Sequence, residues 1–199
     1  MKKNFKLTDE FKIVFGIKLF RIECTTTFSK ANKGDKGGFI EKESNLSGDA
    51  WVYGDARVYG DAEVYGDAWV YGNAEVYGDA EVYGDARVYG NAEVYGDAEV
   101  YGDARVYGDA EVYGDAEVYG NARVYGKMKC TKLAFTLNFA HNLTLSDNHI
   151  SYGCEIKTVL EWSKWLKSSK EFDTKRSDNK FKLIKMSLEL AIEQHNQSK

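Results

Sequence analysis

The run Glu75-Val-Tyr-Gly-Asp-Ala-Glu-Val-Tyr-Gly-Asp-Ala-Arg-Val-Tyr-Gly90 repeats one six-residue phrase, and that phrase extends with little change from Leu46 to Gly126. Valines recur from Val52 to Val124 and alanines from Ala50 to Ala122, always six residues apart. A fixed short period marks a repeat architecture. Six is no helical period, because a helix would spread these valines around its whole circumference. It suits a short strand followed by a turn. In each Ala-X-Val triplet, Ala and Val point one way and X the other. Gly-Asp or Gly-Asn then bends the chain, since both supply residues that tolerate positive φ. Three strands and three turns close a triangular coil of 18 residues. Coils stack at about 4.8 Å, the usual strand spacing. Each coil buries Val and Ala only by stacking on its neighbours, so the expected fold is a mainly β parallel β-helix.

The 18-residue period sorts the outward X residues into three columns. The first face reads Asn45, Glu63, Glu81, Glu99, Glu117; the second reads Trp51, Trp69, Arg87, Arg105, Arg123; the third reads Arg57, Glu75, Glu93, Glu111, Lys129. Like charges about 4.8 Å apart repel by about 0.9 kcal/mol per pair even at the dielectric of water. An Arg ladder beside Glu ladders predicts a partner with the opposite pattern. Repeat duplication alone would also copy such columns, and runs of charge commonly form solvated faces. The tyrosines from Tyr53 to Tyr125 are expected to stack beside the corners. Beside the second face they would add stacking to its anion contacts, the ingredients for binding nucleotides or nucleic acid.

Charge is unevenly placed. The net charge is −4, yet Gly48 to Gly126 carries ten Asp, seven Glu and four Arg, a balance of −13. The first 47 residues balance to +4 and residues 127–199 to +5. An acidic rod between basic ends repels nucleic acid and could itself imitate it. Cys24, Cys130 and Cys154 are sparse and odd in number, which points to a reducing cytoplasm. No apolar run reaches membrane-spanning length, and the lysines near Met1 precede no signal-like core. No membrane partner is expected.

Residues 1–38 form an N-terminal cap. Phe11-Lys-Ile-Val-Phe15 and Ile17–Glu23 read as a hairpin turning at Gly16, the expected cover for the open end of the solenoid. Gly34-Asp-Lys-Gly-Gly38 reads as a loop without the Lys-Ser/Thr ending of a phosphate-binding motif. Ile40 and Leu46 fall in register with the valines, so coils are expected over 39–130. Residues 131–199 form a C-terminal α+β module. Leu133 to Phe139 and Leu143 to Leu145 alternate, giving a hairpin that turns at Ala140-His141-Asn142. One helix is expected over 155–169, burying Ile156, Val159, Leu160 and Leu166 beside Trp162 and Trp165. Another is expected over 179–195, burying Phe181, Ile184, Leu188, Ala191 and Ile192.

Val-Tyr-Gly-Asp-Ala-Glu matches the aliphatic-x-x-x-small-x motif of the hexapeptide-repeat family, and the chain resembles that family throughout the coils. The resemblance implies a left-handed β-helix. Leu19-Phe-Arg-Ile22, Lys33-Gly-Asp-Lys-Gly-Gly-Phe-Ile-Glu41 and Glu43-Ser-Asn-Leu-Ser47 are similar to segments of a bacterial and bacteriophage group with the same repeats. Many of its members carry an acyltransferase label through the hexapeptide motif alone. Such enzymes place a catalytic His in a cleft between subunits and insert a loop for the acyl donor. Here no His precedes His141 and no loop interrupts the coils. His141 and His149 are weak general-base candidates in the C-terminal hairpin, and His195 lies near the end.

Asp61, Asp79, Asp97 and Asp115 form one corner column that reads as turn formers rather than a calcium site. His141, His149 and Cys154 are too few and irregular for zinc. No metal or cofactor is expected. The reading is a non-enzymatic, cytoplasmic binding protein of phage or prophage type. It would form a homotrimer and would block a host defence protein through its charged coil surface. A trimeric acyltransferase and a structural spacer are the alternatives. The expected interface residues are Trp51, Trp69, Arg87, Arg105 and Arg123 on the second face. They are joined by Glu63, Glu81, Glu99 and Glu117 on the first and by Glu75, Glu93 and Glu111 on the third.

Overall fold

The structure, a computed structural model, describes residues 3–131, 133–138, 142–152, 155–168 and 179–197. Its centre is a parallel β-solenoid. On the second face Trp51, Trp69, Arg87, Arg105 and Arg123 are successive register partners in a five-stranded sheet. Glu63, Glu81, Glu99 and Glu117 align on the first face. Arg57, Glu75, Glu93, Glu111 and Lys129 align on the third. Val64, Val82 and Val100 stack as the 18-residue period requires. Every repeat valine is fully buried, as are the alanines from Ala56 to Ala122. Met128 and Cys130 replace Ala and Val in the last coil and stay inside.

The backbone is satisfied between coils, not within them. From Trp51 to Arg105 the amide of each X residue donates to an Ala carbonyl of the next coil, as in Glu63 N to Ala80 O at 2.9 Å and Arg87 N to Ala104 O at 2.9 Å. The corner glycine is required twice over. Gly90 has φ of +78°, and a Cβ there would lie 2.9 Å from Gly108 N.

The N-terminal segment extends one face of the solenoid. β1 (Phe5–Val14) and β2 (Ile17–Cys24) form the expected hairpin, turning at Phe15-Gly16. β3 (Lys36–Ile40) pairs antiparallel with β2 and parallel with the coil at Arg57-Val58, so the third face rises by three strands. The loop expected over 34–38 therefore ends earlier, at Asp35. Gly37 and Gly38 let β3 lie flush, since added Cβ atoms would sit 2.4 Å from Ile22 Cγ1 and 2.7 Å from Ala56 O. Phe5, Ile22, Cys24 and Ala31 join the Val/Ala core and cover its end.

Asn45 corrects the expected first column, because its side chain is buried rather than outward. Its own amide turns back to Lys42 O at 3.0 Å. Its Nδ2 takes the place of that donor, reaching Ala62 O at 2.8 Å and Gly60 O at 3.0 Å. The 3-10 turn Glu43–Asn45 draws that amide away from the next coil, and a buried carbonyl left unpaired is costly.

At the other end the strand Leu133–Asn138 continues the first face, pairing with Glu117 and Val118. It begins an antiparallel meander through Asn142–Leu145, His149–Tyr152 and Glu155–Thr158. The turn expected at 140–142 lies, apart from Asn142, outside the described residues. The first helix starts later than expected: 155–158 is strand, and α1 spans Val159–Lys167. Thr158 and Glu161 form a capping box, with Thr158 Oγ1 accepting from Glu161 N at 3.2 Å and Glu161 Oε2 accepting from Thr158 N at 2.8 Å. Leu160 accordingly falls on the solvent side, 62% exposed. α2 spans Asn179–Gln197 and buries Phe181, Ile184, Leu188 and Ala191 against Trp162, Trp165 and the meander. Trp162 Nε1 donates to Ile150 O at 2.7 Å, which fixes α1 on the sheet.

Candidate recognition faces of the solenoid

The three outer faces share one backbone and differ in how their charges are met. On the two Glu faces, a tyrosine hydroxyl donates to the glutamate of the following coil. Tyr65 reaches Glu81 at 2.7 Å, Tyr83 reaches Glu99 at 2.8 Å and Tyr101 reaches Glu117 at 3.2 Å. On the third face Tyr59 reaches Glu75 at 3.0 Å and Tyr77 reaches Glu93 at 3.2 Å. Arg57 pairs with Glu75 at 2.9 Å and Lys129 with Glu111 at 2.8 Å, so both ends of that ladder are neutralised. Burial and the neighbouring carboxylates push the Tyr59 and Tyr77 hydroxyls well above the usual tyrosine value. Burial and the bond to Glu81 or Glu99 do the same for Tyr65 and Tyr83. These hydroxyls therefore remain donors at neutral pH.

The second face is different. Arg87, Arg105 and Arg123 stand in register and make no ion pair among the described residues. The hydroxyls of Tyr71, Tyr89 and Tyr107 meet no carboxylate there. Their rings stack on one another, Tyr71 on Tyr89 at 4.8 Å and Tyr89 on Tyr107 at 4.9 Å, within 2° of parallel. Stacking covers the ring faces, so this column offers edges and hydroxyls rather than platforms for bases. The adjoining corner is also less acidic than the others. It holds an amide ladder in which Asn73 Nδ2 donates to Asn91 Oδ1 at 3.3 Å and Asn91 Nδ2 to Asp109 Oδ1 at 3.0 Å.

The two tryptophans part company. Trp51 is buried, 3% exposed, with the Phe28 ring edge-on at 5.6 Å. It serves the core and cannot anchor a partner from this position. Trp69 is half-buried and lines a shallow cleft with Lys30, Lys36 and Tyr53 at the head of the Arg column.

The basic N-terminal segment is largely consumed within the molecule. Lys12 pairs with Asp55 at 2.5 Å, Lys42 with Asp61 at 2.5 Å and Lys30 with Asp67 at 2.7 Å. Each of the three corner columns thus receives a lysine near its head. The corner residues Asp79, Asp97 and Asp115 lie on the column headed by Asp61, and no cluster able to hold a metal occurs among the described residues. His141 lies outside the described residues. His149 stands half-buried on a strand of the C-terminal module. Nearby, the Glu161 carboxyl is held below its usual range by the Thr158 amide and hydroxyl, with a smaller contribution from His149.

The family model described as YdcK Beta solenoid repeat matches residues 56–72 and 80–96. Both segments lie in the regular coils, so the likeness concerns the repeat itself. No curated protein matches the chain. The structure and this match agree on a β-solenoid repeat protein that contains no helix long and apolar enough to cross a membrane among its described residues.

Proposed function

We propose that this chain is a non-catalytic binding protein of phage or prophage type that assembles as a ring of three. One observation carries the reading: among the described residues Arg87, Arg105 and Arg123 form no ion pair, while each glutamate of the two Glu columns except Glu63 has a partner within the chain. A donor array repeating at about 4.8 Å matches an acceptor array of the same repeat. A Glu face of a second copy supplies one, since each tyrosine bond occupies only one carboxylate oxygen. A cyclic ring joins unlike faces, and here every ring contact sets an Arg column against a Glu column. Exposed pairs contribute about 0–1 kcal/mol each, so the charges set register while Trp69 and the tyrosine edges exclude water.

Closure consumes the cationic column and leaves one Glu face and the Asp corners outside. The assembled particle is then a rigid polyanion. Its partner in the host cytoplasm is a protein that binds nucleic acid, occupied by the acidic surface in place of its ligand. Capture from a host lysate tests this, with nucleic acid added as competitor. Retained proteins should be released by the competitor. Retention that ignores nucleic acid would refute the mimicry.

A further inference from the structure

The tip of the β1–β2 hairpin is apolar, basic and free of acids. Phe11-Lys-Ile-Val-Phe-Gly-Ile-Lys-Leu-Phe20 contains two lysines and no Asp or Glu. One side of the tip is fixed: Leu19, Val14 and Ile17 pack with Phe39, Tyr59 and Tyr77, and Lys12 is tied to Asp55. The other side is bare. Phe11 is 48% exposed, Ile13 69% and Phe15 89%. Phe15 occupies the first turn position at φ of +48°, beside Gly16 at +82°. A two-residue turn of this kind favours Asn or Asp there, and a bulky side chain in the left-handed region is uncommon. The most projecting point of the hairpin is therefore a phenyl ring held outward by a braced scaffold.

Lys18 completes the patch. It faces Ile13 across the hairpin, and its Nζ lies 4.0 Å from the Phe11 ring centre and 4.8 Å from that of Phe20. It forms no ion pair among the described residues. Its stem lies along apolar surface while its ammonium is available to an anion, the arrangement used by lysines at lipid interfaces.

We propose that this tip inserts into the headgroup region of an anionic lipid bilayer. A second copy is the poorer occupant on area. The three exposed side chains, at roughly 150–250 Å² for a whole aromatic, leave about 400 Å², half of the about 800 Å² per partner that a stable interface uses. Shallow insertion of a few apolar side chains beside one free lysine suits reversible binding to anionic lipid. The apolar residues of this site alternate along one short hairpin and form no membrane-spanning run.

Sedimentation with vesicles tests the proposal, using phosphatidylserine mixed into phosphatidylcholine against phosphatidylcholine alone. The full chain is expected to pellet with the anionic vesicles. Ile13→Ser with Phe15→Ser should lower the partition coefficient by about tenfold or more, and Lys18→Gln by about fivefold on anionic vesicles only. Phe15→Trp keeps the apolar bulk and should retain binding. Relative to the natural chain, its added emission should shift to the blue with lipid. Protein left in the supernatant, equal binding by the double Ser variant, or an added emission from Phe15→Trp that does not shift with lipid would each overturn the proposal. So would a fall in assembly size of the double Ser variant without lipid, which would assign the patch to a second copy.

Discussion

The Glu faces and the Arg face of this solenoid share a hexad, a backbone and a spacing, yet among the described residues only the glutamates, all but Glu63, find partners within the chain. A tyrosine hydroxyl is a donor at neutral pH, so a column of tyrosines can serve a column of carboxylates from the coil beneath. It offers a guanidinium little, because a guanidinium has no acceptor site. Local repetition therefore solves the problem of stacking like charge for acids and leaves it open for bases. The lesson extends to the ends. Lys12 and Lys30 of the N-terminal cap and Lys42 of the first coil meet the upper Asp residues of the corner columns, so a basic terminal segment is no sign of an external acidic partner.

The faces differ only on the outside, and the interior should be indifferent to face. Val88→Asp beneath the Arg column and Val94→Asp beneath a Glu column each bury an unpaired carboxyl, at a cost of several kcal/mol. Both should abolish the cooperative thermal transition, and a variant that melts normally would break the symmetry. Outside, the faces should separate. Tyr77→Phe and Tyr83→Phe each remove a donor to a glutamate and should cost about 1 kcal/mol, whereas Tyr89→Phe should cost under about 0.5 kcal/mol. Denaturant midpoints measure this, and equal losses would erase the distinction.

Two titrations sharpen the contrast further. The Tyr59, Tyr65, Tyr77 and Tyr83 hydroxyls have folded values raised above the ordinary 10.0. Their contribution is fully present below that value and is lost as pH rises above it. Near-ultraviolet absorbance should show these tyrosines resisting ionisation until the solenoid unfolds. The smallest effect is at the cap. The Lys36 and Arg21 bonds hold Glu10 below its usual range, and the Lys12 bond does so for Asp55. That support is present above the ordinary carboxylate range and lost as pH falls through the lowered values. Amide exchange in β1 and β2 should quicken there before exchange in the coils does.

The coils were legible residue by residue, because each Val and Ala must face inward and each X outward at a fixed period. Column membership followed from the same arithmetic. The tyrosine–glutamate bonds were not legible from the six-residue phrase, since each joins residues 16 apart across two coils. Only the coil length brings such a pair together. Asn45 was misplaced because an end coil substitutes a side chain for the missing backbone donor, a local exception that periodicity hides. Trp51 kept its column but lost its surface, since Phe28 comes from a non-repeating loop whose path no pattern foretells. In the C-terminal module, Thr158-Val-Leu-Glu161 carried a readable helix-start signal that hydrophobic spacing alone overran by four residues.

Sedimentation velocity at micromolar concentration tests the assignment of the Arg column to a second copy most directly. The natural chain should run as a species of three times 22.5 kDa, and the Arg87→Glu, Arg105→Glu, Arg123→Glu variant should run as a folded monomer. A natural chain that is already monomeric, or a triple variant that stays assembled, would contradict the assignment of that column to a second copy.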